Sequence, residues 1–160
     1  MELNHDIIDT PPRDAASVVM LRDAPDGLQV LLLRRHADSA VLGGAYVFPG
    51  GKVDAADAGA DTLARLDRAP AELHARLGEP ALSANQAAAL YVAAAREAAE
   101  ESGVLFLQVG AKETATNSAD TCARLRAGGQ FAALLAEHGA RLEPDALAPR
   151  PRWITPRRTS

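Results

Sequence analysis

Two short segments, far apart in the chain, constrain this fold more than any other feature. The first is Phe48-Pro49-Gly50-Gly51-Lys52-Val53-Asp54, and the second is Arg96-Glu97-Ala98-Ala99-Glu100-Glu101-Ser102-Gly103-Val104. A helix is expected from Ala84 to Ser102. Ser83 stands at its N-cap with Gln86 at N3, and Gly103 stands where a C′ glycine belongs. On that helix Glu97, Glu100 and Glu101 are spaced i, i+3, i+4, so three carboxylates share one face. Like charges so placed weaken a helix by roughly 0.2–0.5 kcal/mol per pair. A hard cation, Mg²⁺ or Mn²⁺, turns that repulsion into ligation, because these ions take carboxylate and water oxygens. The pattern points to metal-assisted chemistry on phosphates.

Composition narrows the remaining choices. A chain of 160 residues suits one domain. Its 48% hydrophobic content is largely alanine, with 4% aromatic residues, so the core is built from small and aliphatic side chains. The net charge of −4 argues against a nucleic acid polymer as partner, since that needs a basic footprint. The single cysteine, Cys122, excludes an internal disulfide and fits a reducing, cytoplasmic setting. Neither a secretory signal nor an apolar run of roughly 20 residues is visible, so no membrane role is expected.

Along the chain, residues 1–14 read as an N-terminal arm. Ser17–Arg22 and Leu28–Leu33 read as an antiparallel hairpin around an Asp23-Ala24-Pro25-Asp26-Gly27 turn. A short strand is expected near Ala45–Phe48, and Pro49-Gly50-Gly51 then forces a tight bend. Residues 55–82 read as one or two short helices, broken at Pro70 and at Gly78-Glu79-Pro80. Val104–Val109 reads as a buried strand. Residues 118–138 read as helical with a break at Gly128-Gly129, and 144–160 form a Pro/Arg-rich tail. Arg34-Arg35-His36 reads either as a phosphate clamp, since arginine pairs bidentately with phosphate, or as a charged strand end.

With these residues in view, the chain resembles the Nudix hydrolases. Their box runs Gly, five residues, Glu, seven residues, then Arg-Glu-U-x-Glu-Glu-x-Gly-U, with U bulky and apolar. Gly51 matches the first glycine, and Asp57 stands where the first glutamate belongs. Arg96, Glu97, Glu100, Glu101, Gly103 and Val104 match the second half, with small Ala98 at a U position. Residues 58–95 stand between the halves where seven residues are usual, so the box carries a long insertion, with 58–82 as the expected helical insert. One branch of the family, including coenzyme A and acyl-CoA diphosphatases, carries such an insert. Its upstream pattern is matched here by Leu31, Leu32, Arg35, Gly44, Phe48, Pro49, Gly50 and Gly51, whereas Leu33, His36 and Ala40 depart from it. Trp153-Ile154-Thr155-Pro156 also resembles this branch.

The resemblance implies a single α/β domain, an α/β/α sandwich around a mixed sheet. It implies hydrolysis of a phosphoanhydride in a nucleoside diphosphate linked to another group: coenzyme A or acyl-CoA, or else a nucleotide sugar, NADH or a dinucleoside polyphosphate. Glu97, Glu100 and Glu101 would ligate Mg²⁺ or Mn²⁺, one of them acting as general base. Arg96 would orient a carboxylate, and Arg35, Gly50 and Gly51 would meet substrate. The resemblance also implies strands beyond Trp153, so an incomplete C-terminal part is expected. From this follow poor cover over Val104–Val109, a homodimer through an open strand edge, and weak or absent catalysis. A non-catalytic remnant stays open as the other reading.

Overall fold

The computed structural model describes residues 12–39, 43–108, 116–150 and Arg152. The long helix organises everything else. It runs Ala84–Ser102 and takes the third place in the helical series α1 (Ala60–Leu63), α2 (Pro70–Leu77), α3 (Ala84–Ser102), α4 (Thr116–Arg126) and α5 (Phe131–Glu137). The Ser83 hydroxyl accepts from the Gln86 amide while the Gln86 side chain accepts from the Ser83 amide, closing the expected capping box. Gly103 ends the helix at φ 78°, a left-handed conformation that costs glycine nothing.

One face of α3 is nearly all alanine, and this sets the packing. Ala88, Val92, Ala95 and Ala99 are buried there. Small side chains let neighbouring elements approach closely, and the larger volume comes from those neighbours. Leu73 of α2, Cys122 and Leu125 of α4, and Phe131, Leu134 and Leu135 of α5 fill this core. Removing one such leucine typically costs about 2–5 kcal/mol. Pro70, expected as a break, instead opens α2 at its first position, where its missing N–H is no loss.

The strands are short. They are β1 (Ala15–Ser17), β2 (Leu21–Ala24), β3 (Gly27–Val30), β4 (Leu33–Arg34), β5 (Tyr46–Val47), β6 (Gly50–Lys52), β7 (Leu107–Gln108) and β8 (Arg141–Leu142). They form four antiparallel pairs, β1–β6, β2–β3, β4–β5 and β7–β8, and parallel pairing enters at the Leu66–Leu142 bridge. The expected hairpin is present as β2–β3, but each expected long strand is divided. Ser17–Arg22 is divided because the chain changes partner: Val18 still donates to Pro49 O at 2.8 Å in the β1–β6 register, whereas Met20 accepts from Leu31 N at 3.0 Å in the β2–β3 register. Val104–Val109 is reduced to β7, whose ladder is limited by the two residues β8 offers, and Val104 itself is exposed. Val109 and Trp153–Pro156 lie outside the described residues, as do the arm up to Pro11 and Ala40.

Between β6 and α3 lie a 3-10 turn at Ala55–Ala58, then α1 and α2. Across this excursion, β6 and the 3-10 turn both pack on α3. No helix among the described residues is long and apolar enough to cross a membrane.

Candidate active site

The chain's acidic cluster is built around one guanidinium. Arg96 is nearly buried on α3, and it donates Nε to Asp57 Oδ1 at 3.0 Å and Nη2 to Asp57 Oδ2 at 3.1 Å. Asp57, buried in the 3-10 turn, is short enough to meet Arg96 side-on in this bidentate fork. The same carboxylate accepts from the Asp54 amide at 2.8 Å, which fixes the turn that carries it. Nη2 of Arg96 also donates to the Lys52 carbonyl at 3.0 Å, tying the end of β6 to the helix. Nη1 reaches Glu97 Oε1 at 2.9 Å and Glu100 Oε2 at 3.2 Å. Arg96 thus joins both halves of the split motif.

The Gly50-Gly51 turn completes the junction. The Gly50 amide donates to Glu101 Oε2 at 2.9 Å. The Glu97 carboxylate lies against Gly51 so closely that a Cβ there would stand 2.7 Å from Oε2 and nearer still to Oε1. Only glycine leaves room for that approach. All of Gly50, Gly51, Asp57, Arg96, Glu97, Glu100 and Glu101 are therefore brought together, with Gly103 closing the helix just beyond them.

Electrostatics follow from this geometry. Burial pushes the Glu97 carboxyl above its ordinary value; Arg96 opposes the shift, and the charges of Glu100 and Glu101 add to it. Burial alone would lower Arg96, but hydrogen bonding and charge from Asp57, with Glu97, hold it well above its usual range. Arg96 stays cationic and offsets much of the repulsion among the glutamates.

Arg35 stands apart. Its amide joins the β4–β5 ribbon by donating to Ala45 O at 2.9 Å, its side chain is exposed, and among the described residues no hydrogen bond or ion pair links it to the glutamates. Two partners escaped the sequence reading. Asp54 places Oδ2 3.7 Å from Arg96 Nη2, and the Lys52 carbonyl accepts from Arg96. Both lie inside the Phe48–Asp54 motif, so their place in sequence was the available signal.

Among the described residues, no group of three or more His, Cys, Asp or Glu side chains is already gathered as a cation cage. Arg96 and the Gly50 amide hold the glutamates instead. Each glutamate spends one oxygen in these bonds: Glu97 Oε1, Glu100 Oε2 and Glu101 Oε2. Three carboxylates on one helix face are the oxygen donors that suit Mg²⁺ or Mn²⁺, so the donor set fits a hard divalent cation.

No family model matches the chain. Among solved structures, it is similar to the crystal structure of a NUDIX hydrolase from Alicyclobacillus acidocaldarius, with 31% sequence identity and a TM-score of 0.60. The match covers 86% of this chain and 59% of that one, so the chain spans about three fifths of the length of its structural neighbour. Together with the split motif closing on Arg96, this likeness gives the chain a Nudix-type α/β fold.

Proposed function

We propose that this chain is a Nudix-type pyrophosphohydrolase, which cleaves a phosphoanhydride in a nucleoside diphosphate linked to another moiety. The observation that carries this reading is the contact between the Gly50-Gly51 turn and Glu97 and Glu101, which makes one site from two distant segments. Coenzyme A or acyl-CoA is the favoured substrate class, on the insert between the two segments and the Leu31, Leu32, Arg35 and Phe48–Gly51 pattern. Nucleotide sugars, NADH and dinucleoside polyphosphates are the competing classes.

Glu97, Glu100 and Glu101 would hold Mg²⁺ or Mn²⁺. Such a cation, when bound, lowers the pKa of a water and stabilises charge developing on phosphate oxygens. One of the glutamates takes the proton of the attacking water as general base. Arg96 keeps the carboxylates oriented and neutralises part of their charge. The Gly50-Gly51 backbone admits the diphosphate close to the helix, and Arg35 meets an outer phosphate. The protein works in the cytoplasm, and an exposed strand edge gives a route to a homodimer.

A product-resolved screen of coenzyme A, acyl-CoA, NADH and ADP-ribose with Mg²⁺ tests this. Cleavage within the diphosphate, lost in Glu101→Gln, supports the reading. A folded, metal-loaded chain that cleaves none of them ends it in favour of a non-catalytic role.

A further inference from the structure

Three strand pairs, β1–β6, β2–β3 and β4–β5, belong to one layer, because β1 leads into β2, β3 into β4 and β5 into β6. Their ladders also run past the strand ends. Val18 N donates to Pro49 O at 2.8 Å, Leu31 N to Met20 O at 3.0 Å and Arg35 N to Ala45 O at 2.9 Å. Residues opposed across an antiparallel pair share a face, and faces alternate along a strand. One face therefore carries Val18, Met20, Val47 and Gly51, and it packs on α3. Val18 is buried, Met20 Sδ lies 3.9 Å from Ser102 Oγ, and Gly51 meets the Glu97 carboxylate.

The other face is apolar and open to water. Leu21 opposes Val30 on it, with Leu28 two residues along. Val19, Leu32 and Phe48 stand between the three ladders, and Tyr46 lies beyond them, opposite Arg34. These seven apolar side chains are between 42% and 67% exposed. Together they present roughly 700 Å², more than a monomer usually leaves in one apolar patch and close to the ~800 Å² that each partner gives to a stable interface.

The same face is charged at its two ends. Asp23 opposes Leu28 at the hairpin end, Arg34 stands at the other, and both are exposed. Six residues separate Leu28 from Arg34, about 20 Å of extended strand. A face acidic at one end and basic at the other complements itself when a two-fold axis reverses the strand direction.

We propose that this face is where two copies of the chain meet, sheet against sheet, about a two-fold axis running across the strands. Leu21 and Val30 stand near the centre, and Asp23 of each copy meets the partner's Arg34. Facing sheets pack about 10 Å apart, so the strand edges take no part in the contact. Gly51 and Glu97 meet on the opposite face, so the contact is independent of the diphosphate chemistry.

Analytical ultracentrifugation of the full chain over a range of concentrations tests this. Wild type should sediment as a reversible monomer–dimer mixture. Leu21→Glu and Val30→Glu should each raise the dissociation constant at least about 100-fold, since like charges then face each other across the axis. Arg22→Glu, at a residue directed to the other face, should leave it unchanged. Asp23→Arg and Arg34→Asp should each weaken the dimer about 2- to 5-fold, and combining them should restore it. All five side chains are exposed, so circular dichroism spectra should match wild type. A wild type that stays monomeric at every concentration would overturn the proposal. So would a dimer that survives both glutamate substitutions, which would move the contact to a strand edge. Open-ended aggregates in place of a dimer, or a double charge variant no tighter than its singles, would overturn it too. Turnover by a monomeric wild type fails this proposal alone, and a dimer without turnover upholds it and fails the catalytic reading.

Discussion

Gly51 and Glu97 share one small volume: the Glu97 carboxylate fills the space a side chain at position 51 would need. The two residues belong to different segments, so their contact fixes how the split motif closes. Gly51→Ala should therefore act on Glu97 before it acts on the fold. The extra methyl forces the carboxylate away from Arg96 Nη1, and overpacking of this kind costs about 1–3 kcal/mol. Thermal unfolding should show that modest loss, and metal-dependent stabilisation should fall sharply. Unchanged metal response in Gly51→Ala would show that Glu97 is not part of a cation site.

The three glutamates make a second prediction. Mg²⁺ or Mn²⁺ binding should stabilise the chain by about 2.7 kcal/mol at a hundredfold excess over Kd. Glu100→Gln and Glu101→Gln should abolish most of this gain. Without metal they should be close to wild type or slightly more stable, because like-charge repulsion on α3 falls. Melts with and without Mn²⁺ on all three proteins measure both effects, and equal metal stabilisation in all three would contradict the assignment.

Asp57 and Arg96 make a third. They form a bidentate pair with little access to water. Removing Asp57 takes away the bidentate partner but leaves Arg96 its bonds to Glu97, Glu100 and the Lys52 carbonyl, so the cost is about 1–3 kcal/mol, less than for a buried charge left with no partner. Asp57→Ala should fall in that range by denaturant unfolding. Asp54→Ala should cost well under 1 kcal/mol, since that carboxylate is mostly exposed.

The raised Glu97 pKa gives a pH dependence. A carboxyl whose folded pKa lies above its unfolded value binds its proton more tightly in the native state. Its stabilising contribution is present below the unfolded value near 4.5 and is lost as pH rises through the higher folded value. Metal-free wild type should therefore lose stability across that window relative to Glu97→Gln. Unfolding free energies measured at several pH values without metal check the sign.

Much of this arrangement was legible in the sequence, and the reason is local chemistry. The α3 boundaries follow from Ser83, Gln86 and Gly103, whose caps act over one turn. The meeting of Gly51 with Glu97 follows from the motif, although residues 58–95 separate the two halves. The strands were less legible. Val18 continues the β1–β6 register through Pro49 O, whereas Met20, two residues on, accepts from Leu31 N in the β2–β3 register, so one apolar run is split between two ladders. Such a break is set by a tertiary partner, and strand propensity carries no record of it. The fork from Arg96 to Asp57 was likewise hidden, because its geometry depends on how the 3-10 turn at Ala55–Ala58 meets α3.

Diphosphatase turnover measured on wild type and Glu101→Gln, with Mg²⁺ and with chelator, tests the central claim most directly. Coenzyme A and ADP-ribose serve as substrates, with products resolved by mass. The account predicts metal-dependent cleavage inside the diphosphate by wild type, and loss of that cleavage in a Glu101→Gln protein that still folds. Cleavage that survives both chelator and Glu101→Gln, or a metal-loaded wild type that cleaves neither substrate, would contradict it.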